Sequence, residues 1–330
     1  MKKRILLIHT GGTIGMVRDE KSGVLKPDLF FRNLLKAIPE LAAVADIQVE
    51  IPFLFDSAEL SPSHWQRLGE IIRGRLDDVQ GVVVTHGTDT LAYTASALSY
   101  MLMNLPFPVI LTGAQKPLAE LRTDARANLV NAIELAASDI KEVAVFFDHK
   151  LMRGNRITKS HISHFDAFSS PNYPMLAQVG VEIEIYWDNV LKPRGLFHEF
   201  HAFDPGVAVL RVIPGGGSDY FQPGPDIRAV VLVAFGAGTV PLRSGRLLLR
   251  VEEWIAAGKL VVLLSEARAG RTAPELYESG SMLLKAGALS AADMTFEAAV
   301  TKLMFLLGQY RDAALVRRNF LKPLAGEMTI

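Results

Sequence analysis

The chain contains no cysteine. That absence excludes a disulfide-stapled scaffold, a thiolate zinc or iron–sulfur centre, and a cysteine nucleophile. Net charge is absent too: 35 basic side chains balance 35 acidic ones. A protein held to nucleic acid or to an anionic membrane by bulk charge needs an excess of lysine and arginine, so neither partner is expected. Long apolar runs are also missing. Mean hydropathy is positive at +0.22. Yet the richest stretches, 229–238 and 260–264, are strand-sized, well short of the roughly 18–20 residues of a membrane span. The start, Met1-Lys2-Lys3-Arg4-Ile5-Leu6-Leu7-Ile8-His9, is basic like a leader. Its apolar run is too short for the roughly 7–15 residues of a leader core. A buried first strand and a cytoplasmic protein are expected.

What is present is a large core. Hydrophobic residues make up 49% of 330, and that length predicts two domains. Short β-rich apolar runs at 5–9, 48–54, 81–85, 109–112 and 142–147 alternate with helical spacing at 28–37, 63–76, 90–103 and 124–138. Ser61-Pro62 offers a hydroxyl cap and a proline for the first helical turn. Such alternation predicts an α/β fold whose parallel sheet is covered on both faces. It pauses over 150–205, then resumes with strands at 207–213, 230–235 and 260–264 and helices at 242–257, 295–309 and 312–321. The expected organisation is a larger N-terminal domain (1–187), a linker (188–204) and a smaller α/β C-terminal domain (205–330).

In open α/β sheets, ligands bind beyond the carboxyl ends of the strands. Three loops there are unusual. Thr10-Gly11-Gly12-Thr13-Ile14-Gly15 follows the first strand. Its glycines permit close backbone approach, but the spacing fits neither a dinucleotide fingerprint nor a P-loop. A tight turn is the plainer reading. Thr85-His86-Gly87-Thr88-Asp89-Thr90 joins a strand to a helix. Asp89 could be a simple helix cap; capping accounts for one polar residue there, not five. His86 invites chemistry, although a lone histidine is more often a satisfied structural group. The third segment, Arg153-Gly154-Asn155-Arg156-Ile157-Thr158-Lys159, has three basic residues and reads first as a solvated surface. A lysine beside Asp89 would instead serve hydroxyl activation. Together these loops point to a threonine nucleophile with a threonine–aspartate–lysine relay, and to backbone N–H groups for an oxyanion.

The two glycine–threonine loops resemble the signatures of the bacterial-type L-asparaginase family. Asp56-Ser57, Leu111-Thr112-Gly113-Ala114-Gln115-Lys116-Pro117, Thr158-Lys159 and Phe165-Asp166-Ala167-Phe168-Ser169-Ser170-Pro171-Asn172 follow in family order. Met16, the Ser-Pro-Asn segment and Ala291-Ala292-Asp293-Met294-Thr295 are similar to the cytoplasmic, type I branch. The resemblance implies hydrolysis of L-asparagine to L-aspartate and ammonia through an acyl-threonine, without metal or cofactor. It implies Thr13 as nucleophile, with Thr88, Asp89 and Lys159 as the activating triad. Asp89 would also hold the substrate ammonium. Ser57, with Asp56, Ala58 and Gly87 beside it, would border the α-carboxylate, and the main chain of Ala114 the side-chain amide. A homodimer, or a homotetramer made of two dimers, is implied, with no nucleic-acid or membrane partner.

Two departures stand out. The family's flexible segment usually carries a tyrosine beside the nucleophile; here 16–27 has none, and Val24 stands in that stretch. Another group is expected to activate Thr13: Lys159, a water chain or a neighbouring subunit. Thr239 stands where the family commonly has asparagine, near the subunit contact; residues expected around an effector site are not recognisable in this sequence, so weak or no cooperativity is expected. Two rival readings remain. One is a glutaminase like the amidase subunit of an archaeal-type glutamyl-tRNA amidotransferase. That subunit has an extra N-terminal domain, which is not expected here because the first signature begins at Thr10. The other is a two-lobed amino-acid sensor without turnover, which ammonia release would exclude. A nucleotide-binding dehydrogenase has only the glycines in its favour. His161 and His164 are near neighbours, but nothing in the sequence completes a metal shell around them.

Overall fold

A computed structural model describes residues 2–19, 22, 25–27, 38–200, 202–216, 221–243 and 246–329. The chain forms two compact units, Met1–His201 and Ala202–Ile330.

In the first unit the apolar runs become the strands of one eight-stranded sheet. β1 (Arg4–His9) lies between β2 (Asp46–Glu50) and β3 (Gly81–Thr85), parallel to both. β4 (Val109–Thr112) and β5 (Val143–Phe147) extend it in parallel. β3 and β5 are buried at every position, as strands covered on both faces must be. Three antiparallel strands complete the edge: β6 (Lys150–Arg153), β7 (Ala177–Val179) and β8 (Ile183–Ile185). The order is β8-β7-β6-β5-β4-β3-β1-β2. The parallel strands therefore run 2-1-3-4-5, and the winding reverses at β1. In open sheets wound this way, ligands bind past the carboxyl ends of the strands at the reversal, here β1 and β3.

The antiparallel edge departs from the sequence expectation of a parallel sheet. β5 turns into β6 through Asp148 and His149, both at positive φ (45° and 67°). That is a two-residue hairpin without the usual Asn-Gly or Asp-Gly mark. The strand expected at 48–54 is Asp46–Glu50; Pro52 has no N–H for a longer ladder. The helices α1 (Pro62–Arg73), α2 (Leu91–Met101) and α3 (Ala125–Ala136) stand where the spacing puts them. Ser61 caps α1 with proline at its first turn, and His64 Nδ1 accepts the Ser61 N–H at 3.1 Å. The helix expected at 28–37 lies outside the described residues. The segment 188–200 stays with this unit: His198–Glu199 pairs with Leu102–Met103.

The basic segment 153–159 is not a solvated surface. Arg153 and Arg156 are 3% and 1% exposed. Arg153 Nε binds Glu142 at 2.7 Å, and both guanidinium groups lie over the Tyr173 ring. Partners, not water, carry these charges, which is the condition for burying them.

The second unit has a four-stranded parallel sheet in chain order: β9 (Val207–Arg211), β10 (Ala229–Ala234), β11 (Leu260–Ser265) and β12 (Leu289–Ser290). Its helices are α4 (Arg246–Ala256), α5 (Glu278–Ala286), α6 (Phe296–Gln309) and α7 (Ala313–Phe320). α5 and β12 escape the sequence reading; one is broken up by Ser279, Gly280 and Ser281, and the other is two residues long. Lys302 of α6 and Glu327 form an ion pair with neither side chain exposed. Among the described residues no helix is long and apolar enough to cross a membrane.

Candidate active site

Parallel strands deliver their following loops to one edge of the sheet. The loops after β1, β2, β3 and β4 meet there. Thr10 donates to the carbonyl of Thr85 through both N–H (3.1 Å) and Oγ1 (3.0 Å), and its own carbonyl accepts Phe55 N–H at 3.2 Å. Closer in, the contacts require glycine. Gly12 has φ 81°, and a Cβ there would stand 2.5 Å from Gly87 Cα and N. A Cβ on Gly87 would stand 2.6 Å from Ser57 Oγ. The first three loops thus touch along the line Gly12, Gly87, Ser57.

The implied triad is assembled. Lys159, on the short strand Thr158–Lys159, donates from Nζ to Thr88 Oγ1 at 2.8 Å and to Asp89 Oδ1 at 2.6 Å. Thr88 is buried, Lys159 is mostly covered, and the Asp89 side chain is 67% exposed. Asp89 therefore keeps an open carboxylate oxygen while Lys159 holds the other. Thr13 opens the single turn Thr13–Gly15, one residue beyond the Gly12–Gly87 contact, and is half-buried. Among the described residues no group bonds its hydroxyl.

The remaining expected residues line the same edge. Asp56 Oδ1 accepts Ala58 N–H at 2.9 Å, fixing the turn that carries buried Ser57; Asp56 and Ala58 are exposed. Thr90 Oγ1 donates to the Ser57 carbonyl at 2.7 Å. The Ala114 methyl is buried in the core of this unit. After Thr13, Met16–Arg18 pairs with Leu25–Pro27; Val24 lies outside the described residues. Arg18 Nε and Nη2 donate to Glu120 Oε1 at 3.0 and 2.9 Å, tying this hairpin to the loop after β4.

Sequence reasoning gave no role to Asp124. Its carboxylate accepts the N–H groups of Gln115 at 2.9 Å and Lys116 at 3.1 Å, and Asn128 Nδ2 donates to it and to the Gly113 carbonyl. Burial pushes the Asp124 carboxyl above its usual range, and those N–H groups pull it back. This anchor holds Ala114 and Gln115 in place, and Gln115 Nε2 in turn donates to the His164 carbonyl at 3.0 Å. In the sequence Asp124 shows only as a helix start. His9 and His86 are buried, and burial lowers each ring to about 4; both are neutral at pH 7. The His161 and His164 rings stack 4.8 Å apart in a loop. Among the described residues no group of three or more His, Cys, Asp or Glu is placed to hold a metal ion.

Comparison with known proteins identifies the family. Residues 4–191 match the family model described as Asparaginase, N-terminal, and residues 206–320 that of the Glutaminase/Asparaginase C-terminal domain. The chain belongs to the asparaginase family. L-asparaginase 1 of Escherichia coli (strain K12) is 40% identical over 339 residues, covering 99% of this chain and 98% of that protein. The crystal structure of L-asparaginase I from Vibrio cholerae superposes with a TM-score of 0.90 at 38% identity, covering 100% of both chains. A glutamyl-tRNA(Gln) amidotransferase component of Pyrococcus abyssi is more distant, at 33% identity over 98% of this chain and 76% of its own length.

Proposed function

We propose that this chain hydrolyses L-asparagine to L-aspartate and ammonia through an acyl-threonine intermediate. The observation that carries the reading is Lys159 Nζ, held between Thr88 Oγ1 and Asp89 Oδ1 at the edge where the winding of the sheet reverses. Thr13 Oγ1 attacks the side-chain amide carbon of the substrate, and the C–N bond breaks. The nitrogen takes up the proton released by the Thr13 hydroxyl and leaves as ammonia. Water then attacks the acyl-threonine, and one of its protons moves through the Thr88 hydroxyl, which Lys159 orients, to Thr13 Oγ1 as the acyl bond breaks; aspartate is released with the Thr13 hydroxyl restored. A positioned acid–base relay of this kind contributes roughly 10²–10⁴ in rate. The open oxygen of Asp89 holds the α-ammonium. Ser57, with the turn Asp56–Ala58 and Gly87, receives the α-carboxylate, and the Ala114 main chain meets the amide.

The amidotransferase reading has less support, because the chain spans nearly all of L-asparaginase 1 and a smaller share of the amidotransferase component. Cytoplasmic residence is supported by likeness to the solved structure of a probable cytoplasmic L-asparaginase from Campylobacter jejuni. A homodimer or homotetramer is supported by large apolar side chains left exposed at Leu276 and Tyr277.

Initial rates of ammonia release from asparagine and glutamine test the reading in wild type, Thr13→Ala, Thr88→Ala and Lys159→Met. Release from asparagine by wild type, with large losses in each variant, is expected. No release from asparagine overturns the reading, and wild-type turnover in Thr13→Ala overturns the nucleophile.

A further inference from the structure

We infer that His86 is a positioning residue: a directed hydrogen-bond chain running from Trp65 through Thr94 to His86 aims the Gly87–Thr88 peptide of the catalytic loop. This rests on the hydrolase reading above. Trp65 of α1 and Thr94 of α2 are buried, and His86 is wholly enclosed. Indole N–H can only donate, and Trp65 Nε1 gives its proton to Thr94 Oγ1 at 3.0 Å. The Thr94 hydroxyl lies 2.8 Å from His86 Nε2 and donates to it when that nitrogen is bare. The Gly87 carbonyl can only accept, and it lies 2.7 Å from His86 Nδ1. One ring tautomer satisfies every group: Nδ1 protonated and Nε2 bare. No proton in the chain is free to turn round.

The consequence falls on the next atoms. A trans peptide is planar, so its carbonyl and its N–H point in opposite directions. With the Gly87 carbonyl held toward the imidazole, the Thr88 N–H faces away from it. Among the described residues no acceptor bonds that N–H, although Thr88 is only 8% exposed. A buried, unspent donor beside the Thr88–Lys159 pair is what a developing oxyanion requires. Residue 87 must be glycine to clear Ser57, and glycine leaves its peptide free to rotate. The imidazole removes that freedom.

The test uses two substitutions that each keep half of the imidazole. His86→Asn retains a donor near the Nδ1 position and loses the Thr94 partner; His86→Gln does the reverse. Steady-state rates with asparagine and melting curves are measured for both. Thr94→Val and Thr94→Ser are measured alongside, with ¹⁵N spectra of the histidine ring at pH 7. The expected result is a loss in kcat of about 10–100-fold in His86→Gln with KM nearly unchanged, on the scale of a weakened oxyanion donor. His86→Asn should stay close to wild type, even where it melts as early. Thr94→Val should lower kcat, and Thr94→Ser should restore it. The wild-type ring should carry its proton on Nδ1. Equal kcat losses in the two His86 variants that follow stability alone, or a proton on Nε2, overturn the inference. If the wild type releases no ammonia, the hydrolase reading fails, and the ¹⁵N spectra of wild type and Thr94→Val still decide whether the chain sets the tautomer.

Discussion

Gly12 lies directly against Gly87: a Cβ on Gly12 would stand 2.5 Å from both Cα and N of Gly87. The atoms in the way are backbone, so no side chain can swing aside. The contact fixes the spacing between the Thr13 turn and the Thr88 loop, which arrive from different strands. Gly12→Ala should therefore separate the two threonines. We expect asparagine turnover to fall by at least about 10²-fold, as small misplacements of reacting groups do. Methyl at φ 81° adds strain on the order of 1 kcal/mol. Ammonia release and thermal melting measure the two effects, and an active Gly12→Ala enzyme would show that the contact is not needed.

Lys159→Met should lower turnover by about 10²–10⁴-fold and leave the melting temperature close to wild type, because the Asp89 side chain of the pair is 67% exposed. Lys159→Arg should not rescue: a planar fork cannot place one donor between Thr88 Oγ1 and Asp89 Oδ1 as an ammonium does. Single-turnover release of ammonia would separate the acylation step from deacylation. Full activity in Lys159→Met would remove the relay.

Stability should fall on mild acidification. Burial lowers His9 and His86 from 6.5 to about 4, so the unfolded chain binds protons that the folded chain refuses. Their contribution is complete above pH about 6.5, is lost as pH falls from there to about 4, and is level below. At pH 5 each costs about 2 kcal/mol. Asp124 and Glu142, raised by burial, act in the opposite sense. The double variant His9→Asn, His86→Asn keeps those carboxylates and drops the histidine part. Urea unfolding at pH 7.5 and 5 should show a markedly smaller acid loss in that variant; identical losses would contradict buried neutral imidazoles.

The C-terminal segment should depend on one ion pair. Lys302 and Glu327 are both fully buried. Lys302 Nζ also donates to the carbonyls of Phe320 and Lys322, and Glu327 accepts N–H groups of Leu324 and Ala325. Lys302→Met or Glu327→Leu alone leaves a buried charge without its partner, at a cost of about 3–5 kcal/mol. The double substitution should cost clearly less than the sum. Chemical denaturation of the three variants gives the cycle, and simple additivity would refute the coupling.

Much of this fold is legible before folding. Continuous apolar runs such as Val82–Val84 are what a doubly covered parallel strand requires, and Ser61-Pro62 marks the start of α1 to within a residue. The antiparallel edge is not legible, because Asp148 and His149 adopt left-handed φ without a glycine to announce it. Arg153 and Arg156 mislead for a related reason: the partners that bury them, Glu142 and Tyr173, are distant in sequence. At the site, threonine, aspartate and lysine betray themselves by type and by family pattern. Trp65, Thr94 and Asp124 do not, since each acts through a group it meets only after the sheet has formed.

The winding order also sets a clock. Thr88 and Lys159 are 71 residues apart, and His9 and Thr85 are 76 apart. At roughly 5–20 residues per second, about 4–14 seconds pass on the ribosome between the synthesis of Thr88 and that of Lys159. Through that interval the growing chain can pair β1 with β3 and bring its threonine loops together, yet it has no lysine to complete the relay. Hydrolytic activity should arrive as a late step in biosynthesis, with unfinished chains silent toward asparagine.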